Sequence, residues 1–246
     1  MYKNNDLLFL SGNDIPFISA QLTIHQPTIK EIGLLGEEVF FTGCQLLNFS
    51  KKLLGEEDKI RLEDKTNFDI LIAILREQNA VMQKNRNCVN MVLALLFPEH
   101  RIQLEDDCIA FYREGDENKY QINNDNFEEF QEILSIMFQL KRDDSAIFNP
   151  SGELASKIAE KLQKRHKKLA GDKPDKKIDI LSRYTSILCV AQHTDINVLL
   201  RYTVYQLYDE FKRNELKMNY DIYLKAKLAG AKDLKEVEDW MQDIHS

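Results

Sequence analysis

Arg101-Ile-Gln-Leu104, Cys108-Ile-Ala-Phe-Tyr112 and Lys119-Tyr-Gln-Ile122, followed by the helical run from Asn126, form the stretch that decides the fold class. Apolar and polar residues alternate in each of the three short runs, as they do in strands with one buried face. Glu114-Gly-Asp-Glu-Asn118 between the last two is turn chemistry, so the three runs predict a β-meander. Glu105-Asp-Asp107 falls between the first two strands, where a solvated turn explains it better than a divalent-cation site. Asn126 is then placed to cap a helix from Phe127 to about Leu140, with Phe130, Leu134 and Met137 or Phe138 along one face. A small antiparallel sheet among helices makes the chain α+β, mainly α.

Toward the N-terminus, Leu7-Leu-Phe-Leu10 and Ile15-Pro-Phe-Ile18 flank Ser-Gly-Asn-Asp and predict a hairpin, with Gln21-Leu-Thr-Ile-His25 as a third strand. Thr28 and Glu31 form a capping box, in which the hydroxyl accepts the N3 amide and the carboxylate accepts the cap amide. Helical spacing then runs through Ile29, Ile32, Leu35 or Gly36, Val39 and Phe40. Gly33, Gly36 and Gly43 inside this helix point to close helix packing rather than to a phosphate cradle. Phe68 to Leu75 reads as a buried helix or strand, with helix favoured, and Asn87 to Phe97 as a buried helix stopped by Pro98.

Toward the C-terminus, Asn149-Pro-Ser-Gly152 marks a boundary. It separates an acidic α+β domain at 1–147 from a helical region at 148–246. Glu153 to Leu169 predicts a basic connecting helix with a thin stripe of Leu154, Ile158, Leu162 and Leu169. An amphipathic helix over Ile178 to Ala191 and a short one over Asp195 to Tyr202 follow. Thr203 with Gln206 offers a second capping box, opening a helix to about Leu228 that stops at Gly230. The tail beyond carries the single Trp, Trp240.

Charge divides along the same line. Residues 1–145 hold 15 Lys/Arg and 25 Asp/Glu, whereas 146–246 hold 18 and 15. Nine basic residues fall within 157–177, among them Lys161, Lys164, Arg165 and Lys168, which are candidate electrostatic contacts. The segment has no aromatic to stack on bases, so contact with an acidic protein surface suits it better than nucleic acid. No apolar run approaches the length of a bilayer span. The N-terminus has no signal-peptide core, so the chain is expected to stay in the cytoplasm. Cys44, Cys88, Cys108 and Cys189 are spaced as isolated thiols, neither a disulfide framework nor a zinc site. The five histidines show no ligand spacing, and the nine glycines form no nucleotide-binding or nucleophile motif. The expectation is a binding protein without cofactor or metal rather than an enzyme.

The long C-terminal helix supplies the candidate contacts. Tyr205, Tyr208 and Phe211 recur at helical spacing, and Tyr220 and Tyr223 follow. Rings of this kind serve either as core or as the lining of a groove for a partner helix. Trp240, with Met241, forms a small apolar cluster in charged surroundings, either docked on its own domain or anchoring a partner or a neighbouring copy.

Gln26-Pro-Thr-Ile-Lys-Glu-Ile32 with Gly36-Glu-Glu-Val-Phe-Phe41 resembles the opening of the tail assembly chaperones of long-tailed phages and prophages of Gram-positive bacteria. Thr203-Val-Tyr-Gln-Leu-Tyr-Asp209, Asn219-Tyr-Asp-Ile with Lys225-Ala-Lys-Leu-Ala-Gly-Ala231, and Asp239-Trp-Met-Gln-Asp-Ile-His245 are similar to segments of the same family. The resemblance covers about a third of the chain, at both ends. It implies a protein of the host bacterial cytoplasm that coats the helix-rich tape-measure protein and brings major tail tube subunits to it. Such a protein is absent from the finished virion. A structural tail or connector protein retained in the particle is the alternative.

Overall fold

The computed structural model describes residue 2 and residues 5–51, 62–140, 179–231, 237 and 239–242. It is an α+β structure dominated by helices, with one two-stranded and one three-stranded antiparallel sheet. The predicted basic helix, with Lys161, Lys164, Arg165 and Lys168, lies outside the described residues.

Leu7 to Leu10 is not a strand. Asp6–Leu10 is a short helix, α1, with Asp6 in its first turn where a carboxylate meets the free amides. The hairpin falls one segment later. Strand β1 (Ile15–Phe17) pairs with β2 (Leu22–Ile24) across a 3-10 turn at Ile18–Ala20. Both strands bury alternate residues.

The Thr28 capping box forms as predicted and opens α2 (Ile29–Leu35). The helix expected to run on through Phe40 instead breaks at Gly36, whose φ of 97° only glycine adopts readily, and restarts as α3 (Glu37–Leu47). Helix α4 (Asn67–Arg76) opens on a further capping box, Thr66 with Asp69, and α5 (Ala80–Leu96) is capped by Asn79. Helices α3 and α5 pack closely because Gly43 sits at their contact. A Cβ there would lie 2.6 Å from Val92 Cγ2 and 2.7 Å from the Cys88 carbonyl oxygen.

The meander forms as β3 (His100–Leu104), β4 (Ile109–Arg113) and β5 (Lys119–Ile122), with β4 in the centre. Ile102 faces Phe111, and Ile109 faces Ile122, so these residues share the core side. Glu105 accepts from Lys119 Nζ at 2.6 Å and Tyr112 OH at 2.7 Å, so the acidic triplet is tied into the sheet by protein partners.

Helix α6 (Phe127–Met137) buries Phe130, Leu134 and Met137 as predicted, and Phe138 just beyond its end. Asn126 stands at its N-cap position but does not cap it. Its Oδ1 accepts from the Asn123 amide and its Nδ2 donates to the Gln121 carbonyl, which fastens the loop back to β5.

Helices α7 (Ile180–Gln192) and α8 (Ile196–Leu199) lead to α9 (Val204–Leu228). The second capping box, Thr203 with Gln206, forms as predicted. Helix α9 ends in a Schellman arrangement. The Gly230 amide donates to the Lys227 carbonyl and the Ala231 amide to the Ala226 carbonyl, with Gly230 at φ 82°.

One apolar core runs through both ends of the chain. Phe9, Ile15, Phe40, Val92, Phe111 and Phe130 from the first half join Leu181, Leu199, Val204, Tyr205 and Leu207 from the second. Burying each large side chain contributes on the order of 1.5–3 kcal/mol. The described residues on either side of the predicted boundary at 147 therefore share a core rather than having one each.

Candidate partner-binding surface

The two capping-box helix starts at Thr28 and Thr203 meet in space. Thr28 and Thr203, each the N-cap of its own helix, form an antiparallel bridge. The Ile29 amide donates to the Tyr202 carbonyl at 2.8 Å, and the Lys30 amide to the Leu200 carbonyl at 2.9 Å. Gln206 reaches across from its capping box to donate to the Leu10 carbonyl at 2.8 Å, closely approaching Gly12. A second junction lies at α7. Its own N-cap residue, Asp179, makes no side-chain cap. Instead the Leu181 amide donates to Glu37 Oε1 at 2.8 Å, so α3 supplies the cap for α7. Burial pushes the Glu37 carboxyl up. The α7 amides oppose this, nearby Asp179 adds to it, and the net direction is upward.

On this scaffold the candidate aromatics separate into three groups. Tyr205 is core. It is 1% exposed, its ring lies 5.5 Å from that of Phe9, and its hydroxyl donates to Asp6. A partner cannot touch it without opening the fold. Tyr208 and Phe211 are half-buried under α7, where Tyr184 stacks on Phe211 at 4.0 Å and meets Tyr208 edge-on at 5.3 Å. Burial, with Tyr184 and Glu37 nearby, pushes the Tyr208 hydroxyl up to about 12. These two rings form an internal helix–helix contact. Tyr220 and Tyr223 lie farther along α9, half-buried, with Lys227 Nζ 5.6 Å from the Tyr223 ring.

Trp240, in a turn of the tail, is half-buried beside α9. Lys217 Nζ lies 6.0 Å from the indole centroid, and Arg213 donates to the Gln242 carbonyl. Met241 beside Trp240 is 69% exposed.

Exposed apolar side chains on α9 itself are ones that reading the aromatics passes over. Met218, Ile222 and Leu228 are 53%, 62% and 88% exposed on the distal part of α9. The contacts of α7 explain this: Tyr184 meets Tyr208 and Phe211, and Gln192 donates to Glu210, all in the first third of α9. A periodicity count over Phe211, Met218 and Ile222 contains this stripe, but only the position of α7 shows which part is covered.

Among the described residues, no helix is long and apolar enough to cross a membrane. Residues 173–245 match the family model of the YomV second domain, which spans α7 to the Trp240 tail. YomV is a Bacillus prophage protein, so the match points to a phage-related family for this segment. No curated protein and no solved structure matches the chain.

Proposed function

We propose that this protein is a phage tail assembly chaperone that works by binding rather than by catalysis. In this reading it holds the tape-measure protein before the tail tube forms and brings major tail tube subunits to it. It does so in the host cytoplasm and leaves before the virion is complete. The observation that carries the reading is a coincidence of place. The segment matching the phage-related YomV second domain is the one whose long helix exposes Met218, Ile222 and Leu228 and whose tail exposes Met241. A chaperone of helical clients needs such a surface, with a polar rim and modest affinity, so that release is easy.

The test is co-expression with tape-measure fragments from the same genome, followed by co-purification at moderate salt. A fragment that becomes soluble and elutes with the chain supports the reading. Aggregated fragments with no bound chain overturn it, and the protein in purified virions would then indicate a structural tail or connector protein. Met241→Ala, at a solvent-facing position, is expected to weaken co-purification with the melting temperature unchanged. Trp240→Ala is expected to weaken it too, by releasing the tail from Lys217.

A further inference from the structure

The two edges of the three-stranded sheet differ. Strand β5 runs beside the 3-10 turn at Ile18–Ala20 and carries Lys119, a charge of the kind that blunts an edge. Strand β3 has only β4 for a partner, and its five residues pair one to one, with no bulge to turn the edge away. The Glu105 amide donates to the Cys108 carbonyl, which makes Leu104 and Ile109 a non-hydrogen-bonded pair and fixes the direction of the backbone groups along β3. Arg101 and Gln103 direct theirs at β4. Ile102 and Leu104 aim theirs outward, and among the described residues no backbone group meets them. Their side chains, on the core side of the sheet, are half-buried. On the other side Arg101 is exposed and, among the described residues, in no ion pair. It stands two residues before Gln103, and Glu105 stands two residues after it.

We infer that β3 pairs antiparallel with β3 of a second copy of this chain, across a two-fold axis at Gln103, joining the two three-stranded sheets into one. Two edges join only where outward backbone groups face each other, so Ile102 and Leu104 of one copy must meet outward residues of the other. With the axis at Gln103, Ile102 stands opposite Leu104 of the second copy and Arg101 opposite its Glu105, each twice by symmetry. An axis at Arg101 would set arginine against arginine, and one at Ile102 would set Arg101 against Gln103. The strand is therefore complementary to itself, apolar to apolar and cation to anion, and this selects a second copy as the occupant. Lys119 and Tyr112 already hold Glu105 in place on the face that Arg101 of the other copy approaches.

The experiment uses the full chain. Sedimentation velocity over a concentration series should show a monomer–dimer equilibrium. Arg101→Glu sets like charges opposite each other at both ends of the paired strands. It should raise the dimer dissociation constant about tenfold with an unchanged circular dichroism spectrum. Non-hydrogen-bonded partners bring their Cα atoms to about 4.5 Å, within disulfide reach, so Gln103→Cys should give a covalent dimer on mild oxidation. Arg101→Cys, far from its own copy in this register, should not, and neither should the native chain with its free thiols at Cys44, Cys88, Cys108 and Cys189. A chain that stays monomeric throughout the series overturns the inference. So does a dimer that Arg101→Glu leaves at full strength, or one that Gln103→Cys fails to crosslink, since its copies would then meet elsewhere. Crosslinking of Arg101→Cys to the same extent as Gln103→Cys would place the axis at another residue and overturn it as well.

Discussion

Gly43 is the residue at which the helical layer has least room. Its missing side chain lets the Cys88 carbonyl and Val92 approach within the space a methyl would fill. The Cys88 contact is backbone and cannot swing aside, so Gly43→Ala must separate α3 from α5. It should cost about 1–3 kcal/mol, measured as a lowered denaturant midpoint with little change in slope. Glu37 makes a different prediction, about pH. Its pKa in the folded chain lies above the ordinary 4.5 because burial outweighs the α7 amides. A carboxyl raised in this way contributes stability that is fully present below its unfolded value and is lost as pH rises through its folded value. The melting-temperature margin of the native chain over Glu37→Gln should therefore shrink between about pH 4 and about pH 8. A margin that grows with pH would mean the α7 amides dominate.

Elements announced by local chemistry were legible in the sequence, and those decided by neighbours were not. The boxes at Thr28 and Thr203, the meander from His100 to Ile122 and the Gly230 stop each depend on residues a few positions apart, and each forms. Thr66 with Asp69 carries the same signal before the Phe68 run and opens α4. Leu7 to Leu10 is too short for a period of two to be told from one of 3.6, and Asp6 tips it to a helix. The site divides in the same way. The long aromatic helix was readable, but which of its rings face α7, the core or solvent depends on where α7 lies. Thr203→Ala tests how far the helix start matters. Loss of the capping box should cost about 1 kcal/mol, readable in a thermal melt. The cost should exceed that of Thr66→Ala, because Thr203 is buried where Thr66 is exposed.

At the scale of the molecule, the two charge classes do not fold into two independent bodies among the described residues. Val204, Tyr205 and Leu207 fill the same core as Phe9 and Phe130. A fragment of residues 1–147 would lack them and leave the surfaces of α1 and α2 uncovered. A fragment of residues 173–246 would expose them. Each piece expressed alone should show weak amide dispersion and no cooperative melt, and mixing the two should restore both. An independent, sharp transition for the C-terminal piece would show that the segment matching the YomV second domain is a domain in the thermodynamic sense.

The bridge between Thr28 and Thr203 also bears on synthesis. A ribosome delivers Thr28 first, and 174 residues separate it from its partner. Contacts so distant in sequence are slow to form, and chains that await them keep apolar surface open. The nascent chain must carry Phe9 and Ile29 without their cover until its last helix emerges. Truncated translation products should therefore aggregate, and the yield of native protein should depend on elongation being completed rather than on its early pace.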